Sequence, residues 1–346
     1  MTQRKWWDRD LHQERRPMLL ARNAVAAKAR EYFASRDFVE VDASAIQISP
    51  GNETHIHALA VNLHRPDGVC VPRYLHTSPE FAMKKLLAAG EERIFYLGHV
   101  FRDREQGSRH ACEFTMLEWY RSGETFEEVI DDCIRLVQLV ARQVKTSLLR
   151  YREHTADPFK SVQRLTVANA FKKYAEIDLL ATCGEDGSTD RDCFARAAQK
   201  AGLKVGKADS WSDIFSRLLV SLIEPKIAGE GLCILYEYPR SEAALSSVNK
   251  RDPRVADRFE LYACGVELAN GFRELTDARE QRRRFEAQMD EKQRIYGERH
   301  PLDEDFLAAL ERMPAASGVA LGFDRLIMLA TGAPDINQVV WTPITL

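Results

Sequence analysis

The stretch Val100–Arg121, VFRDREQGSRHACEFTMLEWYR, decides how the rest of the chain is read. Ile94 to Arg102 and Cys112 to Tyr120 are both rich in aromatic and branched residues, which predicts two strands. Between them Asp103, Arg104, Glu105, Arg109 and His110 form a polar run too long for a tight turn. Side chains alternate along a strand, so Phe114, Met116, Glu118 and Tyr120 share one face. A carboxylate and a phenol on that face predict a pocket wall rather than plain core. Arg102 closes the first strand, where a guanidinium can grip a phosphate through two parallel hydrogen bonds. Phe114 opens the second strand and offers a flat face to a base. A hairpin with a solvated charged tip would leave the same pattern, so this stretch alone keeps both readings open.

Further along, Leu232 to Tyr238 reads as an apolar strand ending at Pro239, and Arg258–Glu274 reads as a hairpin. Cys264-Gly265 fits its two-residue turn, where glycine supplies positive φ. That turn sets Tyr262 opposite Glu267 and Glu260 opposite Ala269. Glu260 and Glu267 become diagonal neighbours, roughly 7–8 Å apart at the backbone. Like charges so placed repel unless a cation sits between them; oxygen ligands, were ATP bound beside them, would suggest Mg²⁺. Two solvent-facing glutamates are the alternative. Strict alternation puts Asn270, Phe272 and Glu274 on the opposite face; a bulge at Gly271 would bring them round. Ser317–Leu329 predicts a short strand and then a helix capped by Asp324. Arg325 would stand at that helix N-terminus, where its charge opposes the dipole, so an anion in front of it explains it better than an exposed surface position does.

Toward the N-terminus, Leu75–Glu80 is a helix start: Ser78 caps, Pro79 takes the first helical position and Glu80 lies in the first turn. Residues 17–36 predict a helix and 38–41 a short strand. Phe126–Val144 predicts a long amphipathic helix, 145–164 a connection, and 166–176, 189–202 and 211–223 further helices. Residues 125–230 read as a helical insertion without chemistry. Asp277–Tyr296 and Asp303–Arg312 predict two more helices. Hydrophobic residues make up 45% and charged residues 29% of the 346, values of a soluble globular protein. No apolar run approaches the roughly 20 residues that span a bilayer. The N-terminus lacks the apolar core of a signal peptide. Seven cysteines without a CxxC pair suggest reduced thiols in the cytoplasm. A net charge of −3 supplies no global basic field for nucleic acid.

Three of these stretches together resemble the class II aminoacyl-tRNA synthetases in their lysyl subgroup. Val100–Arg121 is similar to motif 2, and SGVALGFDRL at 317–326 is similar to motif 3. The helix and strand at 17–41 resemble motif 1, which in the family builds the dimer interface. TSPEFAMKKLL at 77–87 and GVELANGFRELTDA at 265–278 look like the subgroup's substrate segments. The resemblance implies an α+β fold, an antiparallel sheet flanked by helices, and one catalytic domain over 1–346 with no anticodon-binding domain ahead of it. It implies ATP contacts at Arg102, Asp103, Arg104, His110, Phe114, Glu267, Leu268, Gly322 and Arg325, with Arg102 and Arg325 catalytic. It assigns substrate contacts to Ser78, Pro79, Glu80, Glu118, Tyr120, Asn270, Glu274 and Ala320, and Mg²⁺ to Glu260 and Glu267. The chain departs from the family pattern at Ser44, where motif 1 has proline, and at Arg104, where motif 2 has glutamate. Glu105 is the candidate replacement there. Ala111-Cys112 stands where the family has Asn-Pro.

Ala320 stands where lysyl-tRNA synthetases have glycine. It matches the branch that joins lysine to elongation factor P. The resemblance therefore implies ATP-dependent activation of lysine or (R)-β-lysine and transfer to a lysine of elongation factor P. It further implies a cytoplasmic homodimer that charges no tRNA and binds no membrane. A truncated lysyl-tRNA synthetase, a free amino-acid activator and a non-catalytic lysine-binding regulator are the alternatives.

Overall fold

The computed structural model describes residues 5–227, 229 and 231–344. In chain order the elements are α1 (Arg9–Ala34), β1 (Val39–Glu40), β2 (Ile46–Gln47), β3 (Ala60–His64), β4 (Cys70–Leu75), α2 (Glu80–Ala88), β5 (Arg93–Phe101), β6 (Glu113–Ser122) and α3 (Phe126–Gln143). Then come β7 (Leu149–Tyr151), β8 (His154–Ala156), β9 (Gln163–Thr166), α4 (Val167–Ala175), α5 (Arg191–Lys200), α6 (Trp211–Leu218) and α7 (Glu224–Ile227). The chain closes with β10 (Cys233–Pro239), β11 (Val255–Ala263), β12 (Val266–Arg273), α8 (Ala278–Tyr296), α9 (Glu304–Leu310), β13 (Ala316–Gly322) and α10 (Phe323–Thr331).

Eight strands form one sheet in the order β1-β5-β6-β13-β12-β11-β10-β9. Only the two edges, β1 on β5 and β9 on β10, pair in parallel; the six inner strands are antiparallel. The expected α+β class and flanked antiparallel sheet are therefore present.

Alternation along the inner strands divides their side chains between two faces. Phe95, Leu117, Trp119, Val319, Leu321, Phe259 and Leu261 point to one side and pack with α1, α3 and α10. The other face carries two separate apolar clusters. One joins Tyr96, Met116 and Tyr120 to α2 and α9. The second joins Leu235, Tyr238 and Tyr262 to helices α4 to α6. The polar groove described below lies on the strands between these clusters.

Several local expectations are corrected. The first helix begins at Arg9, so Pro17 is inside it. An interior proline forfeits a helical hydrogen bond, but Arg15, nearly buried, donates to the carbonyl of Asn337 at 2.9 Å and holds the early turns in place. Residues 145–164 are not a plain connection: they hold the β7–β8 hairpin and lead into the parallel edge strand β9. Three- and four-residue strands among charged residues carry too little periodicity to be read. The helix expected over 211–223 is α6 followed by a π-helical turn, Leu219–Ile223, and then α7.

Asp324 does not cap α10. Gly322 holds the cap position, and Asp324 lies in the first turn, buried. Its carboxylate accepts from the Thr115 N–H at 2.7 Å and pairs with Arg22 at 2.9 Å. This pair fastens α10 to the start of β6 and to α1, which sets Arg325 beside the central hairpin. Removing one member of a buried ion pair strands the other charge. Arg22→Met is therefore expected to lower the unfolding free energy by about 3 kcal/mol, read from the denaturant midpoint.

Candidate active site

The central hairpin forms as its sequence reads. β5 and β6 pair from Arg93↔Arg121 to Phe101↔Glu113, and a charged loop joins them. The strand register then lays out a row across the sheet: Tyr96, Glu118, Ala320, Asn270 and Glu260 on five neighbouring strands. A second row holds Tyr120, Gly318, Phe272 and Arg258. A Cβ on Gly318 would lie 2.2 Å from the Tyr120 ring, so only glycine lets that ring lie over the strand.

The hairpin turn at Cys264-Gly265 forms as expected, with positive φ at Gly265 (70°); Cys264 is also positive, at 54°. Tyr262 faces Glu267 as expected, but Glu260 faces Asn270, not Ala269. The bulge is at Leu268, not Gly271: Leu261 pairs with Ala269, Tyr262 with Glu267, and Leu268 has no partner in the ladder. Leu268 and Ala269 both enter the core beneath the sheet. The extra residue leaves Glu267, Asn270, Phe272 and Glu274 all on the groove face. The Leu268 side chain is thus excluded from any nucleotide contact; only its main chain at the bulge is on offer.

At one end of the groove is an acidic group. Glu118 is buried, accepts from Ser78 Oγ and from Tyr120 Oη at 2.7 Å each, and has its pKa pushed up to about 8 by burial and then by Glu80. Ser78 is not a helix cap in the expected sense: α2 starts at Glu80, with Pro79 in the cap position, while Ser78 Oγ accepts from the Glu80 N–H at 3.1 Å. Glu274 is buried and pushed up to about 7 by loss of water, against the pull of Lys84. Asn270 Oδ1 accepts from Arg258 at 3.2 Å.

The other end is basic. Arg102 lies 5.3 Å from the Phe114 ring centre and 3.7 Å from Glu105. Arg325 donates to the carbonyls of Arg109 and Glu267 at 3.2 and 3.1 Å, and its guanidinium is 3.7 Å from the Glu267 carboxylate. His110 is held below its usual pKa by burial and then by Arg325, so it is neutral beside the two arginines. Gly322 has room in front of it, since a Cβ there would meet only the Arg325 side chain at 3.5 Å. Two predicted contacts are not brought here. Arg104, at φ 64°, turns away to pair with Glu298 and His57. Asp103 accepts from the Arg104 N–H at 2.9 Å and is spent in the turn. Glu105 is the residue that takes the position beside Arg102.

Glu260 and Glu267 do not need a metal to relieve their repulsion. Glu260 accepts from Arg258, Tyr238 and Tyr262, and Arg325 stands by Glu267, so protein donors already compensate both. The donor set nonetheless suits Mg²⁺. It is all oxygen, and Glu224, pushed up to about 7 by burial, Glu260 and Glu267, reports the negative potential gathered there. Among the described residues no group of three or more metal-ligand side chains is assembled. Mg²⁺ characteristically uses one or two carboxylates and completes its shell with phosphate oxygens and water.

Sequence reasoning missed Lys84, Arg258 and Glu224. Lys84 is one helical turn beyond Glu80, and Arg258 is two residues before Glu260 on the same strand face, so both were legible by spacing. Glu224 is brought in by the insertion helices and carried no signal. The insertion also adds Trp211 and Ser212 to a cavity of about 420 Å³ that Arg258, Asn270 and Phe272 line as well. Residues 125–230 are therefore not purely structural packing.

A family model described as class II tRNA synthetases (D, K and N) matches residues 2–345. The chain belongs to this family. Among curated proteins it is similar to the elongation factor P–(R)-β-lysine ligase of Erwinia tasmaniensis, 37% identical over 93% of each chain. The ligase of the same name from Vibrio parahaemolyticus is 38% identical over 94% of this chain and 95% of that protein. That from Haemophilus influenzae strain PittGG is 36% identical over 93% of each.

Glu118 generates a test of the groove's electrostatics. A carboxyl whose folded pKa is raised opposes folding increasingly as pH climbs from its unfolded value near 4.3 toward 8. Glu118→Gln removes that penalty. The variant is expected to be more stable than wild type at pH 8 by at least ~1 kcal/mol, with the difference vanishing near pH 4. Paired melting curves across that range are the measurement.

Proposed function

We propose that this chain activates lysine or (R)-β-lysine with ATP and joins it to a lysine side chain of elongation factor P. The observation that carries this reading is the polarity of the groove: the half-buried carboxylate of Glu80 and the buried ones of Glu118 and Glu274 face one end, guanidiniums at Arg102 and Arg325 the other. A diamino acid is cationic along one part and carries its reactive carboxylate at the other. The relatives named above are ligases for the same substrate and acceptor.

In this reading Ser78 and Glu80 receive one ammonium group, and Glu118, Tyr120, Asn270 and Glu274 the other. The substrate carboxylate then projects toward Arg102. It is already ionised at neutral pH and needs no general base. It attacks the α-phosphorus of ATP; a carboxylate–phosphorus bond forms and pyrophosphate leaves. Arg102 and Arg325 stabilise the charge that develops on the phosphates. Phe114 stacks on the base, and neutral His110 beside it can donate or accept a hydrogen bond. Mg²⁺, held by Glu267 and Glu260, would supply further neutralisation of phosphate charge. The acceptor amine then attacks the activated carbonyl, forming an amide and releasing AMP. Cytoplasmic location is consistent with this partner; among the described residues no helix is long and apolar enough to cross a membrane. Exposed Leu20 on α1 and Val39 on β1 support a homodimer through that edge.

Lysine-dependent ATP–pyrophosphate exchange tests activation. Glu267→Gln and Arg325→Ala are each expected to cut exchange at least ~100-fold while melting within a few degrees of wild type. A large fall in melting temperature with normal specific activity would make either residue structural. Competitive charging with elongation factor P and tRNA tests the acceptor; efficient tRNA charging would overturn it.

Ala320 stands between Glu118 and Asn270 in the row, so its methyl forms the pocket wall. A methyl in a tight pocket is worth roughly 1–3 kcal/mol of discrimination, about 10- to 200-fold. Ala320→Gly is expected to shift preference toward α-lysine by an amount in that range, read as the ratio of kcat/KM for the two isomers.

A further inference from the structure

Lys84 has 0% of its side chain exposed. Its ammonium lies 2.5 Å from Glu80 on its own helix α2 and 2.6 Å from Glu274 at the end of β12. Burial alone would push this ammonium's pKa down; Glu274 and then Glu80 outweigh it and hold the pKa above its usual value. The cation is therefore permanent. Glu274 is 2% exposed, and its partners are the Lys84 ammonium and the Gly318 main chain. A buried carboxylate is costly unless it is paired and hydrogen-bonded. A methionine of similar length in place of Lys84 and a neutral residue in place of Glu274 would serve packing at less cost. The arrangement is instead a resident ammonium shared by two carboxylates, one on each wall of the groove.

We propose that Lys84 is a positioning residue that holds Glu80 and Glu274 at fixed separation and competes with the proton on Glu274, so that the groove takes the ammonium groups of a diamino acid. This rests on the activation reading above. The groups facing this centre are Glu80 on α2, Glu118 and Tyr120 on β6, Tyr96 on β5, Glu274 on β12, and Glu53, whose charge acts on Glu80 from the 50–57 segment. Lys84 is the cation set among these carboxylates, and it lowers the proton affinity of Glu274 against the pull of burial. Without Lys84, Glu274 holds its proton at neutral pH, and the substrate must displace it.

The test is pyrophosphate exchange by the full chain from pH 6.5 to 8.5 with lysine as the varied substrate, comparing wild type with Lys84→Met and Lys84→Arg. Lys84→Met is expected to raise the KM for lysine at pH 7 roughly tenfold for each unit by which the Glu274 pKa rises on losing the ammonium. The deficit is expected to shrink as pH rises and Glu274 ionises. The KM for ATP stays within about twofold, because the phosphate end is untouched. Lys84→Arg, which keeps the charge, restores the wild-type pH profile. Should Lys84→Met fold too poorly to assay, Lys84→Met/Glu274→Gln is compared with Glu274→Gln alone; the double variant is expected to bind lysine more weakly. A pH-independent deficit in Lys84→Met, equal rises in both KM values, or an unchanged KM for lysine overturns the proposal, as does a double variant that matches the single. Wild type that shows no lysine-dependent exchange overturns the activation reading together with this one. Wild type that exchanges while the Lys84 variants match it overturns the role of Lys84 alone.

Discussion

One unpaired residue in a β-ladder governs the groove. Side chains alternate along a strand without exception unless a residue is inserted, and an insertion flips everything beyond it to the other face. Leu268 is that insertion. It drops into the core with Ala269 and leaves Glu267 on one side of the bulge and Asn270, Phe272 and Glu274 on the other, all facing the groove. In a regular hairpin Asn270 and Glu274 would point into the hydrophobic layer under α1, α3 and α10. Glu267 and these residues could then not share a surface. The bulge is thus the constraint on which the groove depends.

The second organising feature is charge separation on a short length of sheet. The acidic end is held by desolvation and by Lys84, the basic end by Arg102 and Arg325. Each end has its own apolar backing: α2 and α9 behind Glu80 and Glu118, the core helices α1, α3 and α10 behind Arg325. Asp324 ties the start of α10 to β6 and α1, so the two ends cannot drift relative to each other without breaking a buried ion pair. Holding charges in fixed positions before the reaction is what makes them effective on a developing phosphate charge, because no reorganisation is needed at that moment.

Much of this was legible in the sequence because it depends on local chemistry. The alternation of Phe114, Met116, Glu118 and Tyr120 gave the face of β6, and Cys264-Gly265 gave a tight turn with positive φ at its glycine. The short strand at 316–322 followed at once by a helix put Arg325 near a helix start. The three motif-like stretches in order gave the family. Each of these signals lies within a few residues and reflects strand period, turn sterics or capping.

What the sequence did not decide were relations between distant segments. The bulge position follows from which of Leu268, Ala269 and Gly271 the core beneath can absorb, and that core comes from α1, α3 and α10. Arg104 is drawn off to Glu298, and Asp324 is claimed by Arg22 and Thr115, both pairings across the fold. Glu224 reaches Glu260 and Glu267 only because the insertion helices pack on the far strands of the sheet. Lys84 had a visible partner in Glu80, but its second partner, Glu274, is 190 residues away (274 − 84) and meets it through strand pairing. Local sequence fixes which conformations a segment favours; which buried charge finds which partner is settled by the packing of the whole chain, because desolvation makes every unpaired choice costly.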